Sequence, residues 1–167
     1  SVITNEDVPV AITLTGSDID GDVLTYIVVS GPANSSLSGT APNLTYTPSA
    51  NFNGSDSFTF KVNDGTIDSV IATVSITIMP VNDAPVADTQ SVSTDKNAGK
   101  LITLTASDVD GDLLTYNFTN PGNGTLSGTA SNLTYTPKTD YTGPDSFTFQ
   151  ASDGTLVSNI ATVSITV

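Results

Sequence analysis

Cysteine, histidine and tryptophan are absent from this 167-residue chain, and so is arginine. Each absence closes a class of explanation. Without cysteine there is neither a disulfide framework nor a thiolate metal site, so a core and hydrogen bonds must hold the fold. Losing histidine as well removes the commonest general base along with the thiol nucleophile. Four lysines face seventeen acids, for a net charge of −13. Phosphate backbones need clustered Lys and Arg, so nucleic acid is excluded as a partner, and anionic membrane surfaces are disfavoured on the same ground. No apolar run is long enough to insert in a bilayer and no signal peptide opens the chain. It starts in mid-pattern, which predicts an excerpt of something longer.

What is present is present twice. ITLTGSDIDGDVLTY at 12–26 returns as ITLTASDVDGDLLTY at 102–116, and LSGTAPNLTYTP at 37–48 as LSGTASNLTYTP at 126–137. DSFTF at 56–60 returns at 145–149, and IATVSITI at 71–78 returns at 160–167 as IATVSITV. Within each copy apolar residues alternate with threonine and serine, as in Phe58-Thr59-Phe60-Lys61-Val62 and Val74-Ser75-Ile76-Thr77-Ile78. This period of two is that of half-buried strands, and nothing sustains a helical period. Asp-Gly, Asn-Gly and Gly-Pro steps punctuate the runs. Seven strands fit each copy, at about 1–4, 9–16, 23–30, 35–38, 43–47, 56–63 and 69–79 in the first. The fold expected is all-β, two tandem seven-stranded Greek-key β-sandwiches of immunoglobulin or cadherin type, with domains 1–83 and 84–167. Ile12, Leu14, Leu24, Tyr26, Phe58, Phe60, Val74, Ile76 and their counterparts are the expected core. Pro80-Val81-Asn82-Asp83-Ala84-Pro85 is a short, stiff connection.

The acids are not scattered. Sixteen of the seventeen are aspartate, and they recur at turns. Ser-Asp-x-Asp-Gly-Asp places Asp18, Asp20 and Asp22 between the second and third strands, and Asp108, Asp110 and Asp112 at the same point of copy two. Asp-Gly recurs at Asp64 and Asp153, and Asp56 and Asp145 precede the sixth strand. An EF-hand would need Gly at the sixth position and Glu at the twelfth from Asp18; Val23 and Val29 stand there instead. With strands alternating in direction, Glu6, Asp56, Asn82 and Asp83 belong to the lower end of copy one. Asp108, Asp110, Asp112 and Asp153 belong to the upper end of copy two. Carboxylates crowded at such a joint repel without a cation, and calcium accepts six to eight oxygens in flexible geometry. These eight residues are therefore candidate calcium ligands. Asp18, Asp20, Asp22 and Asp64 form a matching half-site at the upper end of copy one. The competing reading is that Asp-Gly is also the ordinary composition of a tight turn.

On these residues the sequence resembles cadherin repeats, and more closely the bacterial cadherin-like repeats of large extracellular adhesins and secreted polysaccharide-active proteins. Val81-Asn82-Asp83-Ala84-Pro85 is similar to the cadherin linker, Asp108-x-Asp110 to the Asp-x-Asp motif, Asp153-Gly154 to the later Asp-x-Gly motif, and Glu6 stands where cadherins place a ligating Glu. The resemblance implies an extracellular or cell-surface location, calcium bound between successive domains, and a rigid adhesive rod whose partners are neighbouring repeats of the same or an identical chain. Two departures stand out. The cadherin Asp-Arg-Glu motif is missing, leaving Asp56 as a partial stand-in, and Lys96 replaces Glu6 in copy two. A carbohydrate-binding module and a filament subunit remain as alternatives, with a polysaccharide or cell-surface ligand. The first lacks a tryptophan to stack on a sugar, and Tyr26, Tyr46, Tyr116, Tyr135 and Tyr141 fall at core-like positions. No enzyme is expected. An internal isopeptide bond is also excluded, because Lys61 falls on the outward phase of its strand and its counterpart is Gln150.

Overall fold

The computed structural model describes residues 1–167, and the chain divides into two compact units, Ser1–Val81 and Asn82–Val167. Both are built of strands alone; no helix is long and apolar enough to cross a membrane.

Unit 1 contains β1 (Val2–Asn5), β2 (Val10–Thr13), β3 (Thr25–Ser30), β4 (Ser35–Thr40), β5 (Asn43–Pro48), β6 (Gly54–Asn63) and β7 (Ala72–Met79). They form two sheets, β1-β7-β6-β3 and β2-β5-β4. β1 lies parallel to β7, from Val2 opposite Ile76 to Asn5 opposite Met79; the other neighbours are antiparallel. The alternation read from sequence is what makes this a sandwich. Tyr46, Phe58, Ile76 and Ile78 point inward and are almost wholly buried with Ile12, Leu14, Leu44 and Phe60, while Ser57, Thr59, Ser75 and Thr77 point outward. Burying each large apolar side chain stabilises the unit by about 1.5–3 kcal/mol. Lys61 lies on the outer face and pairs with Asp68.

Unit 2 repeats the plan with two differences. Its strands are β8 (Val86–Ala87), β9 (Gln90–Ser93), β10 (Lys100–Thr103), β11 (Ala106–Ser107), β12 (Thr115–Phe118), β13 (Gly124–Thr129), β14 (Asn132–Pro137), β15 (Pro144–Ser152) and β16 (Ala161–Thr166). The expected first strand is present as β9, parallel to β16, and an additional short segment, β8, precedes it and pairs antiparallel with β11. The expected second strand is split into β10 and β11. Seven strands thus become nine segments without a change of plan, with sheets β12-β15-β16-β9 and β10-β14-β13. Ile102, Leu104, Leu133, Tyr135, Phe147, Phe149, Val163 and Ile165 form the core.

Five residues expected in the core are only half-buried: Leu24, Tyr26 and Val74 in unit 1, Leu114 and Tyr116 in unit 2. The tyrosines lie on β3 and β12, each an outer strand of its sheet, so one flank stays open to water. Tyr26 still packs on Phe60 with ring centroids 6.5 Å apart, and Tyr116 on Phe149 at 6.2 Å. Leu24 and Leu114 precede those strands, because the aspartate loops extend further than the pattern suggested.

One position tests how closely the copies differ. Ser35 of β4 corresponds to Gly124 of β13, where a Cβ would run into the Tyr135 ring and come 2.8 Å from the Thr136 carbonyl oxygen. Gly124→Ala is expected to destabilise the chain by about 3 kcal/mol, the upper range for overpacking. Urea unfolding measures it, and a loss too small to resolve would mean that Tyr135 shifts freely.

Candidate metal centre

The loop between β11 and β12 is shaped by its own first aspartate. Asp108 Oδ1 accepts the backbone N–H of Asp110 at 2.9 Å and that of Asp112 at 3.5 Å, a local side-chain-to-backbone turn of the kind aspartate favours. The turn gathers the carboxylates of Asp108, Asp110 and Asp112, whose oxygens lie within 4.8 Å of one another. Asn82 and Asp83 meet this loop and the next one. The Asp83 N–H donates to Asp110 Oδ2 at 2.8 Å, and Asn82 Nδ2 donates to Asp153 Oδ2 at 2.8 Å. Asp153, in the turn between β15 and β16, also accepts from the N–H groups of Thr155 and Leu156, both at 2.6 Å. The Asn82 amide, followed by the Leu156 and Thr155 N–H groups, holds the Asp153 carboxyl below the usual carboxylate range. Six residues singled out in the sequence thus share one end of unit 2.

The donor set suits a hard cation. All its side-chain donors are carboxylate or amide oxygens, as calcium prefers. Asp108 Oδ2 supplies the sharper observation, since it is buried and accepts no hydrogen bond. An anionic oxygen withdrawn from water without a donor is costly, and a bound cation would remove that cost.

Unit 1 repeats the loop without the convergence. Asp18 Oδ1 accepts the N–H of Asp20 at 2.8 Å and of Asp22 at 3.3 Å, yet the one group of three carboxylates whose oxygens close to within 4.8 Å is that of unit 2. Asp64 accepts from the N–H groups of Ile67 and Thr66, which hold its carboxyl low, as does the Thr66 hydroxyl. At the other end of unit 1, Glu6 is 3% exposed. Its Oε1 accepts the Val81 N–H, while Oε2 is buried with no donor. Its counterpart Lys96 instead lies 3.8 Å from Asp140.

Asp56 requires a correction. It was expected among the metal ligands, but five protein donors occupy it: the N–H groups of Ala33, Asn34 and Ser57, the Ser35 hydroxyl and the Tyr46 hydroxyl. Both oxygens are committed to bracing the β3–β4 connection against the core. Asp145 does the same in unit 2 with Gly122, Asn123, Ser146 and Tyr135. The tyrosine partners escaped the sequence reading. A signal was available, since Leu-Thr-Tyr-Thr-Pro precedes Asp-Ser-Phe at the same spacing in both copies.

Known proteins resemble the chain at both levels. A family model described as bacterial Ig domain matches residues 1–77 and again 82–166. Integrin beta-like protein A of Dictyostelium discoideum is 34% identical over 137 residues, covering 67% of this chain and 7% of that protein. The chain spans 6–7% of the length of the curated relatives it matches. Among solved structures, the EC1-2 domains of human protocadherin-24 are 18% identical with a TM-score of 0.54, over 99% of this chain and 92% of that one, a likeness of fold. An endo-fucoidan hydrolase from glycoside hydrolase family 107 is 28% identical with a TM-score of 0.42, over 99% of this chain and 27% of that one.

Proposed function

Because this chain belongs to the bacterial Ig domain family, we propose that it is a calcium-binding structural or adhesive segment of an extracellular cell-surface protein. The ion would be held in unit 2 by Asp108, Asp110, Asp112, Asp153 and the Asn82-Asp83 segment. Calcium supplies positive charge to oxygens that otherwise repel. The residues do the rest: Asp108 shapes the loop, Asp110 and Asp153 tie down the entering segment, and Asp112 completes the acidic face. Holding that segment would order the entry to unit 2, and neighbouring repeats are the natural partners of such a segment. Glu6, with its donorless Oε2, suits the same cation chemistry at its own end of unit 1. The reading is non-enzymatic.

The observation that carries it is the buried, donorless Asp108 Oδ2 beside two further carboxylates. Calorimetric titration of chelator-stripped protein with calcium is expected to give a saturable binding heat. Asp110→Ala is expected to weaken the affinity by at least about tenfold, since a charged ligand is lost. Small-angle scattering is expected to report a narrower spread of dimensions with calcium than with chelator. If no heat appears, or if Asp110→Ala binds like the wild type, these loops are ordinary turns.

A further inference from the structure

Four Asp-Gly steps lie in the loops, at Asp20-Gly21 and Asp64-Gly65 in unit 1 and at Asp110-Gly111 and Asp153-Gly154 in unit 2. Such a step is open to an intramolecular reaction, because glycine has no side chain to shield its amide nitrogen. That nitrogen attacks the aspartate Cγ. The new C–N bond forms, a carboxyl oxygen departs as water, and a succinimide ring closes. Water then reopens the ring at either carbonyl, giving aspartate or isoaspartate with no net change in composition. Two freedoms are needed: an uncommitted glycine N–H and a carboxylate able to swing onto it.

Three of the steps lack at least one. Gly65 N–H donates to Asn63 Oδ1 at 2.7 Å while Asp64 Oδ1 accepts from Thr66 and Ile67. Gly154 N–H donates to Ser152 Oγ at 3.1 Å while Asp153 accepts from Asn82, Thr155 and Leu156. At the third, the Gly111 N–H makes only a long 3.4 Å contact with the Asp108 carbonyl oxygen, and the firm restraint is the Asp83 N–H, which holds Asp110 Oδ2 at 2.8 Å. The fourth step has both freedoms. The Asp20 carboxylate accepts no hydrogen bond and the Gly21 N–H donates none. Both residues are exposed, as are Asp110 and Gly111, and the space around a Cβ placed on the glycine is open at all four steps. Backbone shape does not separate it from its counterpart, since φ is 83° at Gly21 and 80° at Gly111. The difference lies in the hydrogen bonds.

We propose that Asp20 is a site of spontaneous isoaspartate formation, and that the fold protects the other three steps. The product routes the main chain through the side-chain carbonyl, inserting a methylene group into the Asp18–Asp22 loop. The assignment is independent of any bound metal. Breaking one hydrogen bond slows the attack by about tenfold, so isoaspartate is expected to accumulate at Asp20 at least about tenfold faster than at Asp64, Asp110 or Asp153.

The test incubates the full chain at neutral pH with chelator, digests it, and locates isoaspartate by isoaspartyl methyltransferase labelling and electron-transfer fragmentation. The same incubation in denaturing urea is expected to bring the four rates together. Asp20→Glu is expected to abolish the isoaspartate mapped to the 20–21 step, because its longer side chain closes the ring far less readily; isoaspartate from the Asn53-Gly54 and Asn123-Gly124 steps is set apart by the mass gained on deamidation. Equal or faster conversion at any other Asp-Gly step in the folded chain overturns the proposal. So does the same ranking in urea, which would trace the difference to local sequence, or an isoaspartate signal mapped to the 20–21 step that survives Asp20→Glu.

Discussion

Calcium at a hundredfold excess over its dissociation constant is expected to stabilise the chain by about 2.7 kcal/mol. For a unit of this size that corresponds to a rise of roughly 10–20 °C in melting temperature. The effect follows from linkage: an ion that binds the ordered loop and not the unfolded chain pulls the equilibrium toward the folded state. Asp108→Asn is the informative variant. An asparagine Oδ1 still accepts the N–H groups of Asp110 and Asp112, so the turn keeps its form. The negative charge is gone, and with it the buried oxygen that no donor satisfies. In chelator the variant is therefore expected to melt at or above the wild type, because an amide NH2 beside the Asp110 and Asp112 carboxylates takes the place of the uncompensated anionic oxygen. In calcium it is expected to lose most of the gain. Scanning calorimetry of both proteins with calcium and with chelator decides it. An equal calcium response in wild type and variant would remove Asp108 from the site, and no response in either would remove the site.

The sandwich was legible because its signal is local and repeated. Period-two alternation tells which side chains share a face, and the second copy confirms the phase. Alternation does not tell whether a face is covered, and Tyr26 and Tyr116 were misjudged for that reason: an outer strand alternates like a central one but is open along one flank. The extra segment β8 was hidden too, since its pairing with β11 depends on which partners are near and not on the composition of 86–87. The aspartate loops divide in the same way. Asp108 organises N–H groups two and four residues ahead of it, which spacing can suggest. That Asn82 would donate to Asp153, seventy-one residues away, depends on the folded chain.

Asp56 shows the limit most clearly. In the sequence it is another acid beside a turn; in the fold it lies near the start of β6 and anchors a buried network, and its removal should cost the most of any acid in the chain. Asp56→Ala leaves five donors without an acceptor, among them the hydroxyl of Tyr46, which is 0% exposed and out of reach of water. A loss on the order of 3 kcal/mol is expected. Tyr46→Phe removes one donor and keeps the anion paired, for a loss of about 1.5 kcal/mol. The two losses should not add, because they share one hydrogen bond. The pH dependence carries a definite sign. Burial acts to raise the Asp56 carboxyl, but the N–H groups of Ala33, Ser57 and Asn34 together with the Tyr46 hydroxyl outweigh it and hold the group below its ordinary value. A carboxyl lowered by folding contributes stability that is complete above its unfolded value of about 3.9 and is lost as pH falls through the folded one. Wild-type stability minus that of Asp56→Ala should accordingly be constant near neutrality and shrink below about pH 4. Urea unfolding at a series of pH values measures this difference. A gap that stays constant into acid, or an Asp56→Ala loss below ~0.5 kcal/mol, would show that the brace is not stabilising and would return Asp56 to the pool of ordinary surface acids.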